Sequence, residues 1–137
     1  MWPSAAPALT LLLCVVPLLA LPASAASRRV RPGEWGAEHV AFSVNEEGAA
    51  VEFDCAHGRV DGPLPLDRRG RFEVEGRYVP ERPGPVRRDA PTEARPARYR
   101  GAVRGRVMTL RVTVEDGPEL GPYRLVLGGR GHVFKCR

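Results

Sequence analysis

Apolar side chains in this chain recur on alternate positions over short stretches, the period of strands that bury one face. Val40, Phe42 and Val44 alternate with Ala41 and Ser43, and Val51, Phe53 and Cys55 resume the pattern after Asn45-Glu46-Glu47-Gly48. The residues between carry turn chemistry, so the two runs predict a hairpin. His57-Gly58 ends the second run, Val60 and Leu64 suggest a short irregular segment, and Pro63 and Pro65 forbid a long central strand there. Asp67-Arg68-Arg69-Gly70 predicts another turn. Beyond it Phe72, Val74, Gly76 and Tyr78 share one face and Arg71, Glu73, Glu75 and Arg77 the other, the sharpest alternation in the chain.

Five prolines and four arginines over residues 79–96 predict a long surface loop, placed at the far side of the meander from Cys55. Tyr99, Gly101 and Val103 then lead into Arg104-Gly105. Read as a two-residue turn, that dipeptide sets Val103 opposite Arg106, Gly101 opposite Met108 and Tyr99 opposite Leu110. Arg98, Arg100 and Arg111 gather on the outer face. Asp116-Gly117-Pro118 must turn, Tyr123, Leu125 and Leu127 form a further run, and residues 133–136 read as a last short strand. No stretch has the period of an amphipathic helix. The expected fold is all-β: an antiparallel meander of about seven or eight short strands closed as a small barrel, with a β-sandwich as the alternative. A barrel leaves no free edges.

The start of the chain has a different character. Its first 25 residues carry no charged side chain, run apolar over 8–21 and end in Ala23-Ser24-Ala25. The run is short for a bilayer span and is interrupted at Pro17, so residues 1–25 predict a secretory signal peptide cut after Ala25. Cys14 follows Leu13, where lipid attachment needs a small residue. A flexible leader over 26–32 and a single domain over 33–137 follow. The expected location is secreted or periplasmic, with no transmembrane segment in the mature chain.

Charge adds a partner class. The 137 residues carry a formal net charge of +5, yet between Arg77 and Arg106 nine arginines meet only Glu81, Asp89 and Glu93. This stretch holds all the net positive charge and implies an anionic envelope component or an exported protein as partner, among them lipid head groups, acidic polysaccharide or an acidic protein. Arg82, Arg87, Arg88, Arg95, Arg98, Arg100 and Arg111 are the expected contacts; a merely solvated face is the bland alternative. Nucleic acid is not expected, because export removes the opportunity and only Tyr78 and Tyr99 offer stacking surfaces. No catalytic constellation is visible, since neither Ser27 nor Ser43 stands in a nucleophile elbow. Asp54 reads as an exposed carboxylate and His39 as a polar-face histidine. No cofactor is implied.

Cys55 and Cys136 remain after signal cleavage, and in an oxidising compartment two cysteines most simply pair. Their neighbours leave a second reading open. Cys55-Ala56-His57 and His132-Val133-Phe134-Lys135-Cys136 place Cys55, His57, His132 and Cys136 at spacings that two strands could present to one zinc ion.

Gly33-Glu34-Trp35 at the start of the first strand resembles the Gly-x-Trp signature of the calycin barrels, the lipocalins and avidins. Gly76-Arg77-Tyr78 and Tyr99-Arg100-Gly101 are similar to the middle of the avidin meander. The resemblance implies an antiparallel barrel with Trp35 as its closing plug; a ligand platform is the other reading of Trp35. The Thr-Asp-Tyr lipocalin motif and the avidin ligand set are absent, so no ligand is carried over. Trp35-Gly36, residues 53–58, Met108-Thr109-Leu110 and Lys135-Cys136 also resemble a pattern in small, uncharacterised exported bacterial proteins. The expected function is that of a small exported β-barrel binding or accessory protein, non-enzymatic, acting through its Arg-rich loop and face. A disulfide-stabilised structural envelope protein and a Cys/His metal-binding protein are the alternatives.

Overall fold

A computed structural model describes residues 2–5, 28–85, 87–89 and 93–136. The apolar run and cleavage site assigned to the signal peptide lie outside them. Among the described residues the secondary structure is entirely β, and no helix there is long and apolar enough to cross a membrane. Eight strands follow in chain order: β1 Gly33–Ala37, β2 Val40–Val44, β3 Gly48–Phe53, β4 Ala56–Asp61, β5 Arg71–Pro80, β6 Arg95–Arg104, β7 Val107–Val114 and β8 Glu119–Leu127. Each pairs antiparallel with the next and β8 returns to β1, so the sheet closes as a barrel in meander order. The sandwich alternative is excluded.

Strand alternation decides what fills the barrel. Val40, Phe42, Val44, Val51, Phe53, Phe72, Tyr99, Met108, Leu110, Val112 and Leu125 all point inward and are buried. Trp35 joins them with no exposed surface, and its Nε1–H donates to the Arg31 carbonyl at 3.0 Å. Among the described residues the interior holds no buried charged side chain, and no buried side-chain nitrogen or oxygen lacks a hydrogen-bond partner.

Tyr99 explains a strand that the sequence pattern concealed. Gly58 reads as a breaker, yet Ala56, Gly58 and Val60 face inward on β4 while His57, Arg59 and Asp61 face out. The Tyr99 ring lies where side chains at Gly58 and Gly76 would stand, and its hydroxyl donates to the Arg77 carbonyl at 2.7 Å. A glycine inside a strand here marks a large neighbour across the barrel.

Three other expectations change. β3 stops at Phe53, which pairs with Ala56, so Cys55 sits on a two-residue turn and not on the strand. The β6–β7 turn is Gly105-Arg106, one residue later than expected, because Gly105 takes φ +59° at the first central position that such a hairpin requires. Pairing therefore shifts by two: Tyr99 faces Val112, Gly101 faces Leu110 and Val103 faces Met108. Residues 133–136 form no strand. The tail makes one parallel bridge, Glu38 to His132, and then runs on toward Cys55.

The barrel has two unlike ends. Turn 45–47, loop 62–70, turn 105–106 and the leader lie at one. There Arg29 bridges Pro65, the Val30 N–H donates to the Leu64 carbonyl at 3.0 Å, and both apolar side chains are buried. Residues 28–30 of the leader thus lie against the barrel, because Val30 has an apolar seat to fill. Turns 38–39, 54–55 and 115–118 and the loop 81–94 gather at the other end with the C-terminal tail.

Candidate functional site

Cys55 and Cys136 stand at disulfide distance, their Cα atoms 4.9 Å apart across 81 positions of sequence. Backbone bonds reinforce the link. The Cys55 N–H donates to the Phe134 carbonyl at 3.3 Å, His39 N–H to the His132 carbonyl at 2.7 Å and His132 N–H to the Ala37 carbonyl at 3.1 Å. Asp54 completes the clamp: one carboxylate oxygen accepts from the Phe134 N–H at 2.8 Å, and the other lies 2.5 Å from His39 Nδ1. His39, Cys55 and Asp116 all have positive φ, at 69°, 54° and 52°, so among the described residues the non-glycine residues held in the left-handed region all lie in turns at this end. The sequence reading of Asp54 and His39 as separate exposed groups misses their pairing, because they are brought together only by two different turns.

Beside the clamp, Lys135 contacts both Glu52 and Glu81, and His57 Nδ1 lies 3.0 Å from Glu81. Partial burial works to raise the Glu81 carboxyl, but the hydrogen bonds from His57 and Lys135 outweigh it and bring the pKa below its ordinary value. Burial likewise opposes the charge on Lys135, and the bonds to Glu52 and Glu81 overcome it and raise the ammonium.

The four residues of the zinc alternative are not brought together around one point. The two sulfurs face each other, His57 faces Glu81, and His132 lies 3.9 Å from Glu38. Among the described residues no group of three or more His, Cys, Asp or Glu is arranged to hold a metal ion.

The basic loop springs from the same end as the cysteines, contrary to the sequence expectation. Ala56 pairs with Pro80, and the Glu81 N–H donates to the Cys55 carbonyl at 2.8 Å, so the loop begins at the disulfide turn. The strands also run further into the expected loop, leaving 81–94 as the connection. Arg82 pairs with Glu93 at 2.5 Å, Arg87 and Arg88 are exposed on the loop, and Arg95 opens β6 opposite Tyr78. Tyr78 and Tyr123 flank Phe53, with ring centroids 5.7 and 6.1 Å from it, and burial raises both phenols above the ordinary value.

The remaining three arginines lie on the outer face of β5–β7. Arg98 reaches Glu73 at 3.4 Å and Glu75 at 3.6 Å, and Arg111 reaches Glu119 at 3.5 Å. Arg100 faces Arg111 directly in the β6–β7 register. The expected binding set is therefore split between the loop end, with Arg82, Arg87, Arg88 and Arg95, and the sheet face, with Arg98, Arg100 and Arg111. Two hollows lie on that face, of about 750 Å³ and 330 Å³, and Arg100 lines both.

Fold and site together define a small, closed, eight-stranded antiparallel barrel with an apolar filled interior and its arginines outside. Compared with known proteins, the chain matches no family model, no curated protein and no solved structure.

Proposed function

We propose that this protein is a small exported binding or accessory module, without catalysis of its own, that meets an anionic partner on the outside of the barrel. The packing of the barrel carries this reading. Trp35, Phe42, Tyr99, Met108, Leu110 and Leu125 occupy the space in which a calycin-type barrel would hold a small molecule, and each is fully buried. A ligand must then be met on the exterior, where the arginines of the loop and of β6–β7 are exposed. Export is consistent with the paired cysteines, which are rare in reducing compartments. Concentrated positive charge steers an acidic partner toward this side and makes association sensitive to salt.

Titration of the protein with poly-glutamate at low and high salt tests the reading. Binding that weakens with salt and is lost in the Arg87→Ala/Arg88→Ala/Arg100→Ala/Arg111→Ala variant is the expected result. An absence of binding at low salt, or binding indifferent to salt and to the variant, overturns it.

A further inference from the structure

We propose that the outer face of β5–β7 is a docking groove for an extended segment of a partner protein, in which a carboxylate beside apolar side chains is held between Arg100 and Arg111. This rests on the exterior, anionic-partner reading and names the seat and the partner class.

Two guanidinium groups directly opposite each other on neighbouring strands repel, and such pairs weaken a sheet. Three neighbouring arginines have carboxylate partners: Arg98 has Glu73 and Glu75, Arg71 has Asp67 at 3.5 Å, and Arg111 has Glu119 at 3.5 Å. Among the described residues Arg100 makes no ion pair, although Glu73 is its register partner on β5, because Glu73 turns to Arg98. An uncompensated cation next to a second one is a standing demand for an anion. Two planar guanidiniums suit a carboxylate, which accepts paired hydrogen bonds from each.

The surroundings select among anions. The larger hollow is walled by Pro65 and Leu66 of loop 62–70 and floored by Ala102 and Thr109, small side chains that let a ligand approach the sheet. The smaller hollow continues the strip toward the loop end, past Arg98 to Pro96 and Thr113. From Ala102 to Pro96 the strip follows β6 and accommodates a few residues of extended chain at about 3.3 Å each. Asp67, Glu73, Glu75 and Glu115 stand along it as well. Those carboxylates disfavour a polysaccharide or lipid surface with charge at every unit, whereas a segment with a single carboxylate can set it at Arg100 and Arg111 and lay its apolar neighbours against Pro65, Leu66 and Ala102. The groove thus fits an acidic and apolar peptide segment.

Selection of a random peptide library on the full-chain protein tests this. Enriched peptides are expected to carry Asp or Glu beside an aliphatic residue. Their affinity is expected to fall at least tenfold in Arg100→Glu, which reverses the charge, and in Ala102→Trp, which fills the floor, and to be unchanged in Arg87→Ala/Arg88→Ala. Both groove positions project outward, so the core is retained. Acidic peptides that survive both groove variants but are lost from the loop variant overturn the groove and leave the exterior reading standing. Enrichment of peptides without acidic residues overturns both, and no enrichment overturns the groove, with poly-glutamate titration deciding the broader reading separately.

Discussion

Arg100 and Arg111 face each other across β6 and β7, both on the solvent side, and while Arg111 reaches Glu119 and nearby Arg71, Arg77 and Arg98 find carboxylates, Arg100 makes no ion pair among the described residues. The pair costs stability where it stands. Arg100→Thr removes the repulsion and adds a residue at ease in a strand, so it should stabilise the fold by about 0.5 kcal/mol while weakening capture of acidic peptides. Urea unfolding of the variant beside the parent checks it; a lower midpoint would show that Arg100 serves the fold.

The link from Cys55 to Cys136 closes β4 to β8 and the tail into one loop. Restricting the unfolded chain over that separation contributes about 4 kcal/mol on the entropy estimate. Cys136→Ser, or the parent under reductant, should lose 2–4 kcal/mol. Proteolysis should then attack the tail at 133–136 first, since its remaining anchors there are the Asp54, Glu52, Glu81 and backbone bonds. Unchanged stability on reduction would contradict this.

The Glu81–Lys135 contact gives the clamp a pH window. Glu81 has its pKa depressed in the fold, so its contribution is complete above the ordinary value of 4.5 and is lost as pH falls through the folded value. Lys135 has its pKa raised, so its contribution is complete below 10.5 and is lost as pH rises through the folded value. Thermal stability should therefore hold between these limits and decline outside them. Glu81→Gln should flatten part of the acid limb; an acid limb identical to the parent's would place the loss elsewhere.

Gly101 lies under the Phe72 ring, and the three atoms nearest to a side chain added there all belong to that ring. Gly101→Ala should cost about 1–3 kcal/mol by overpacking. Phe72→Leu relieves the clash, so the double variant should be less destabilised than the sum of the two single ones. Strict additivity in a double-mutant cycle would show that the two positions do not press on each other.

Much of the barrel was legible because the alternation of side chains across an extended backbone is a local property. Phe72 to Tyr78 and Val40 to Val44 declare their inward faces without reference to any other strand. The sharing of one outer face by Arg98, Arg100 and Arg111 survived a misplaced turn for the same reason, since a shift of two residues preserves parity. The exact partner of Arg100 did not survive it, and the like-charge pair appeared only with the true register. β4 was hidden because the meaning of Gly58 depends on Tyr99, more than forty positions away.

The sequence by itself determined the strand rhythm, the meander, the two cysteines able to pair and the concentration of arginine, all written in short-range pattern and composition. The tertiary structure alone decided that the cysteines and the basic loop share one end, that His39 meets Asp54, that the interior is full and that Arg100 stands against Arg111. Each of these depends on turn conformation and on barrel closure, which bring together residues that no local period relates.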